Sequence, residues 1–151
     1  MQDDARERER RGELSNNVVR LFRLINRVHN RKLRDTGISA EQTHILLLLH
    51  LDGPMTIGQL GRRLALSSAT LTGAIDRLED QELVQRAPSP DDGRAFVLES
   101  RLPARKRAQV ERLVEEGERQ CFAALTTSEK KELLRLLDKC IAQLEMDPAA
   151  R

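Results

Sequence analysis

The sequence predicts a mainly helical protein with one small β-hairpin, an α+β fold, in a chain of 151 residues. Apolar residues recur at helical spacing through most of the chain, helix-start signatures repeat, and only residues 83–101 read as strands. Apolar residues make up 39% of the chain and charged residues 33%, which is typical of a globular protein and not of a disordered one.

The first predicted helix runs from about Leu14 to Asp35. Its apolar residues step by four and three positions, which is the spacing of a coiled-coil seam. They are Leu14, Val18, Leu21, Ile25 and Val28. Because a helix of this length exceeds what a small core requires, we expect it to contact a partner subunit.

Capping boxes begin three of the other predicted helices, at Ser39, Thr56 and Thr126. The helix after Ser39 should be central, because residues 45–49 are all apolar. Ser67 is a good N-cap for a helix that reaches about residue 81.

Two short strands are predicted at Leu83–Arg86 and Ala95–Leu98, with a polar, turn-rich segment between them. Pro103 suits the first turn of a following helix. The last helix again carries apolar positions at four-three spacing, Leu133, Leu137, Cys140 and Leu144.

Residues 56–98 therefore read as helix, tight break, helix and hairpin, which is a winged helix-turn-helix. The helix after Ser67 should bury Leu71, Ile75 and Leu78 and expose small polar residues on its other side. A helix fits the major groove of B-DNA, where hydroxyl groups reach base edges and phosphates. Gly73 on this face permits a close approach to DNA but removes one base-reading side chain. An ordinary solvated face is the alternative interpretation.

The predicted hairpin tip carries Asp92 and Arg94. An arginine on a wing can enter the narrow, negative minor groove, and a nearby carboxylate can orient its guanidinium. The alternative is an incidental ion pair on a solvated turn.

Residues 38–100 resemble the MarR family of transcriptional regulators. The resemblance rests on three segments: Leu66-Ser67 with Leu71-Thr72 and Asp76-Arg77-Leu78-Glu79, Leu83-Val84-Gln85-Arg86, and Asp91-Asp92-Gly93-Arg94. The flanking helices also fall where this family has its dimerisation helices. Many members carry a basic residue where this chain has Gly73, which is a departure from the pattern.

The resemblance implies a homodimeric, sequence-specific DNA-binding regulator, usually a repressor, that binds a pseudo-palindromic operator in double-stranded DNA. Residues 1–37 and 102–151 would hold the dimerisation helices, and residues 38–101 would form the DNA-binding lobe. The expected DNA-binding residues are Ser67, Ser68, Thr70, Thr72, Arg77, Asp92 and Arg94.

A winged-helix module that binds another protein and has lost DNA binding is the competing hypothesis. Its main support is charge: residues 56–101 contain six arginines and seven acids, a net charge of −1. An enzyme is not expected, because the chain lacks the GxxxxGK, GxSxG and HExxH motifs. The charged start and the short apolar runs suggest a cytoplasmic protein without a membrane segment.

Three kinds of signal could control such a regulator: oxidation of a cysteine thiol, binding of a metal ion, or binding of a small organic effector. Cys121 and Cys140 lie in line with apolar positions and are expected to act as small hydrophobes. The three histidines lack metal-ligand spacing, so we expect no metal or other cofactor. In relatives, a small organic effector binds where the dimerisation helices meet the DNA-binding lobe, which makes His29 and His44 candidate polar groups for one.

Overall fold

The computed structural model describes residues 2–90, 93 and 95–147, with side chains from residue 12 onward. Over these residues it confirms a mainly helical fold with one antiparallel hairpin. The elements are α1 (Gln2–Leu33), α2 (Ala40–Leu51), α3 (Ile57–Leu64), α4 (Ser68–Asp80), β1 (Val84–Pro88), β2 (Phe96–Ser100), α5 (Ala104–Cys121) and α6 (Thr127–Met146), with a short 3₁₀ helix at Arg34–Thr36.

The predicted helix starts are confirmed by their capping bonds. Ser39, Thr56 and Thr126 each close a capping box, and the Ser67 hydroxyl accepts the amide N–H of Thr70. The start predicted for α1 was wrong, because the helix already begins at Gln2, before the apolar seam.

The core surrounds α2. Ile45 and Leu46 are completely buried, as the apolar run predicted, and helices from both sides of the sequence pack around them. The largest completely buried partners are Leu33, Leu60, Leu71, Ile75, Leu78, Leu98 and Val110. Since these come from α1, α3, α4, β2 and α5, one core fixes the hairpin and the flanking helices relative to α4.

The hairpin pairs Val84 with Ser100 and Pro88 with Phe96, so both strands run slightly beyond their predicted ends. An isolated bridge joins β2 to the chain before α3. Met55 donates its N–H to the Leu98 carbonyl at 3.2 Å and accepts the Leu98 N–H at 2.7 Å. The base of the hairpin is thereby fixed beside α3.

Two helices leave their apolar seams uncovered. No residue of α6 is buried, and Leu137, Ile141 and Leu144 are 42%, 51% and 59% exposed. On α1, the seam residues Leu14 and Val18 are 73% and 51% exposed. Within the described ranges, no helix is long and apolar enough to cross a membrane.

Helices α1 and α5 cross at close range, and the contact requires a glycine. The His29 ring of α1 lies against the backbone of Gly117 on α5. A Cβ atom at position 117 would overlap the ring carbon Cδ2 and lie 2.8 Å from Nε2. One turn away on α1, Lys32 forms an ion pair with Glu116 at 3.8 Å.

Replacing Gly117 with alanine should force the two helices apart. We expect Gly117→Ala to lower the free energy of unfolding by about 1–3 kcal/mol, the usual cost of an overpacked core. The companion variant Gly58→Ala should not destabilise the fold, because its Cβ would meet only Arg62 at 3.8 Å. Chemical denaturation measures both.

The expected clash between a Cβ at position 117 and the His29 ring can be tested by removing the ring. If the His29 ring is the obstacle, the cost of Gly117→Ala should largely disappear in a His29→Ala background. Additive costs of the two substitutions would show that this contact does not set the distance between α1 and α5.

Candidate nucleic-acid interface

One face of α4 packs against the core, and the opposite face is exposed to solvent. Leu71, Ala74, Ile75 and Leu78 are completely buried. The structure describes five of the predicted site residues, and all five are exposed: Ser67, Ser68 and Thr70 at the N-terminus of α4, Thr72 near its middle and Arg77 in its last turn. Gly73 is half-buried on this helix. The remaining two predicted residues, Asp92 and Arg94, lie outside the described residues.

The turn between α3 and α4 is tight. Ala65 takes a left-handed conformation with φ of 51°, and Leu66 donates its N–H to the Gly61 carbonyl at 3.0 Å. A Cβ on Gly61 would lie 3.2 Å from the Leu66 carbonyl oxygen, closer than an ordinary contact. A glycine at position 61 thus allows this turn to direct α4 away from α3.

Several hydroxyl groups of the exposed face are already hydrogen-bonded within the helix. The Ser67 and Thr70 hydroxyls lie 2.9 Å apart and share one hydrogen bond. Thr72 donates its hydroxyl to the Ser68 carbonyl at 2.7 Å. Their main local effect is to fix the first turn of α4, and lone pairs on these oxygens still face solvent.

An ion-pair network joins the hairpin to α4. The Arg86 guanidinium on β1 contacts Asp76 at 3.4 Å and Glu79 at 3.1 Å, and both acids belong to α4. No sequence pattern pointed to this role of Arg86. These pairs partly offset the negative charge of Asp76 and Glu79 on α4, although Arg86 is already counted in the net charge of residues 56–101.

His29 and His44 mark a second region, on the elements beside α5. The Nε2 atom of His29 is buried without a hydrogen-bond partner, as is the Thr43 hydroxyl. Burial lowers the pKa of His29, the charge of His44 lowers it further, and Glu118 opposes the shift. Desolvation also lowers the pKa of His44, although that residue keeps an exposed surface.

The cysteine environments favour a structural role. Burial and the charge of Glu118 raise the pKa of the Cys121 thiol, so the reactive thiolate is disfavoured. Cys140 is exposed on α6 in the single chain. Among the described residues, no group of three or more histidine, cysteine or acidic side chains could hold a metal ion.

The fold and this face can be compared with known proteins. The model of the MarR family matches residues 38–96. The uncharacterized HTH-type transcriptional regulator YcgE of Bacillus subtilis is 33% identical over 95 residues, which are 60% of this chain and 62% of YcgE. The HTH-type transcriptional repressor IacR of Pseudomonas putida is 27% identical over 118 residues, 76% of this chain and 70% of IacR.

A solved structure extends the similarity beyond the matched segment. A crystal structure of a mutant MarR from E. coli complexed with operator DNA has a TM-score of 0.77 and 25% identity. It covers 85% of this chain and 93% of that one. The family resemblance drawn from the sequence is therefore confirmed over residues 38–96, which match the MarR family, and the fold of most of the chain is similar to that of E. coli MarR.

Proposed function

We propose that this protein is a homodimeric, sequence-specific DNA-binding regulator that represses transcription. Helix α4 enters the major groove of double-stranded DNA, and the hairpin, with Asp92 and Arg94, reaches the adjacent minor groove. The observation that carries this proposal is the exposed polar face of α4, which the core fixes from behind and which Arg86 links to the hairpin. A rigid helix with small polar side chains suits the major groove.

The similar proteins support the same role. The MarR structure similar to this chain was solved with operator DNA, and IacR is named a transcriptional repressor. We infer that Ser67, Ser68, Thr70, Thr72 and Arg77 contact an operator in this protein as well. We also propose that it acts in the cytoplasm, where a regulator meets its DNA.

The uncovered helices support a homodimer, in which residues 1–37 and 102–151 supply the interface and residues 38–101 bind DNA. An open groove of about 440 Å³ runs between α5 and α6, lined on its apolar side by Phe122, Leu133, Leu134 and Leu137. We assign it to an apolar seam of the second copy, because the seams on α1 and α6 have the same four-three spacing.

Release of DNA by a small organic effector belongs to the same proposal. The unpartnered His29 Nε2 and the nearby His44 offer polar groups at the junction of α1, α2 and α5. A ligand that hydrogen-bonds the buried nitrogen would change the α1–α5 contact that Gly117 permits.

The net charge of residues 56–101 favours one alternative, a winged-helix module that binds protein. The ion pairs of Arg86 weaken that argument, since they locally offset part of the negative charge of Asp76 and Glu79 on α4. DNA binding distinguishes the two hypotheses directly.

Selection from a random duplex library tests the proposal. The full-length protein should enrich a pseudo-palindromic sequence and bind it more tightly than a scrambled duplex in a fluorescence-anisotropy titration. Thr72→Ala should weaken operator binding about fivefold, the scale of one hydrogen bond, and should change scrambled-duplex binding less. Enrichment of no sequence, with equal weak binding to all duplexes, would support the protein-binding module instead.

Arg86 should matter for DNA affinity more than for folding. Arg86→Ala leaves Asp76 and Glu79 uncompensated near the phosphates, so we expect binding about 5- to 30-fold weaker on operator and scrambled duplexes alike. The free energy of unfolding should fall by no more than about 1 kcal/mol, because the pairs are exposed.

A matched control is Arg112→Ala, which breaks an exposed ion pair with Glu116 on α5. It should leave DNA binding unchanged. If Arg86→Ala binds DNA like the wild type, the ion-pair network has no part in binding.

The dimer depends on the α6 seam. Leu137→Asp should raise the dimer dissociation constant about 30-fold or more, because a charge would replace an apolar contact at the centre of the interface. Sedimentation equilibrium measures the change. Ala142→Asp adds the same charge to the opposite side of α6 and should leave the dimer intact, whereas a dimer insensitive to Leu137→Asp would place the interface elsewhere.

A further inference from the structure

Few side chains on the exposed face of α4 have free hydrogen-bond donors. Each hydroxyl has a single hydrogen. Thr72 gives its hydrogen to the Ser68 carbonyl, and Ser67 and Thr70 use one of their two in the bond between them. The strong donor that remains on this face is the Arg77 guanidinium, which carries five N–H groups in a rigid fork.

Arg77 extends back along the helix over Gly73. A Cβ atom built on Gly73 would lie 3.6 Å from Nη1 of Arg77, so the guanidinium lies beside the position that lacks a side chain. Long side chains on a helix point toward its N-terminus in this way. The fork therefore lies beside Gly73, near the middle of α4.

The positive charge of Arg77 is not neutralised by its neighbours. Asp76 and Glu79, the adjacent acids of α4, both contact Arg86. Arg77 itself is exposed and forms no ion pair within the described part of the chain. Both acids thus contact the hairpin arginine, and neither contacts Arg77.

We propose that Arg77 determines sequence specificity by reading a guanine through the space left open at Gly73. This inference rests on the proposed DNA-binding function. Guanine presents O6 and N7 side by side in the major groove, and two N–H groups of an arginine fork match them. A phosphate contact is the other use of an exposed arginine, and it would carry no sequence information.

The test uses the selected operator and two variants of the full-length protein. Arg77→Lys keeps the charge and loses the fork, so its affinity for the operator should fall about 5- to 150-fold, the range for one bidentate base contact. Its affinity for a scrambled duplex should stay close to that of the wild type. Arg62→Ala removes one exposed charge from α3 and should weaken operator and scrambled duplexes equally.

Replacing single guanines of the operator by 7-deazaguanine removes the N7 acceptor without changing base pairing. One position per half-site should then weaken wild-type binding, and the same replacement should have no effect on Arg77→Lys. If the effect of 7-deazaguanine depends on Arg77 in this way, Arg77 contacts that base. A purely structural role of Arg77 would not produce this dependence. Thermal unfolding of both variants should match the wild type.

Two results would overturn the inference. If 7-deazaguanine has no effect at any position, or if Arg77→Lys weakens operator and scrambled duplexes equally, Arg77 contacts phosphate and not a base. In either case the operator would still be selected, so the proposed function would stand. A protein that selects no sequence contradicts the proposed function and this inference together.

Discussion

The close crossing of α1 and α5 is the contact on which the rest of the arrangement depends. It needs a glycine, because the His29 ring occupies the space where any other residue at position 117 would place its Cβ. Beyond this contact, toward the lobe, Leu33 and Val110 continue the two helices into the completely buried core. The crossing therefore joins the first helix of the chain to the helix that follows the hairpin. A displacement at the crossing would move both α1 and α5.

The same crossing explains which apolar surfaces of the helices are covered in the single chain and which are exposed. Near the core, α1 and α5 cover each other, whereas the other half of α1 and all of α6 keep apolar seams in solvent. Leaving an apolar seam of this length in solvent is unfavourable, because burying each large apolar side chain would contribute about 1.5–3 kcal/mol of stabilisation. In the proposed homodimer a second copy of the chain would supply the missing contacts, and the α1–α5 crossing would help to set the distance between the two α4 helices.

Local chemistry made most of the fold predictable from the sequence. Capping boxes at Ser39, Thr56 and Thr126 depend on residues three positions apart, so the helix starts could be read directly. The exposed face of α4 followed from the spacing of its buried leucines. The start of α1 could not be found this way, because the charged residues before Leu14 have no apolar periodicity. The His29–Gly117 contact and the Arg86 network join residues far apart in sequence, and only the tertiary structure brings them together.

Charge placement, more than net charge, decides whether the α4 face suits DNA. Residues 56–101 carry a net charge of −1, which argues against a nucleic-acid interface when the residues are only counted. In the fold, Arg86 approaches α4 from β1 and pairs with Asp76 and Glu79, so the acid beside Arg77 in the sequence is not its partner. Arg86 pairs with two of the three acids of the helix, and Arg77 lies beside Gly73 without an ion pair in the described part of the chain. A nearly neutral segment can thus present a local positive group to a groove, while the small residues around it let the helix approach closely.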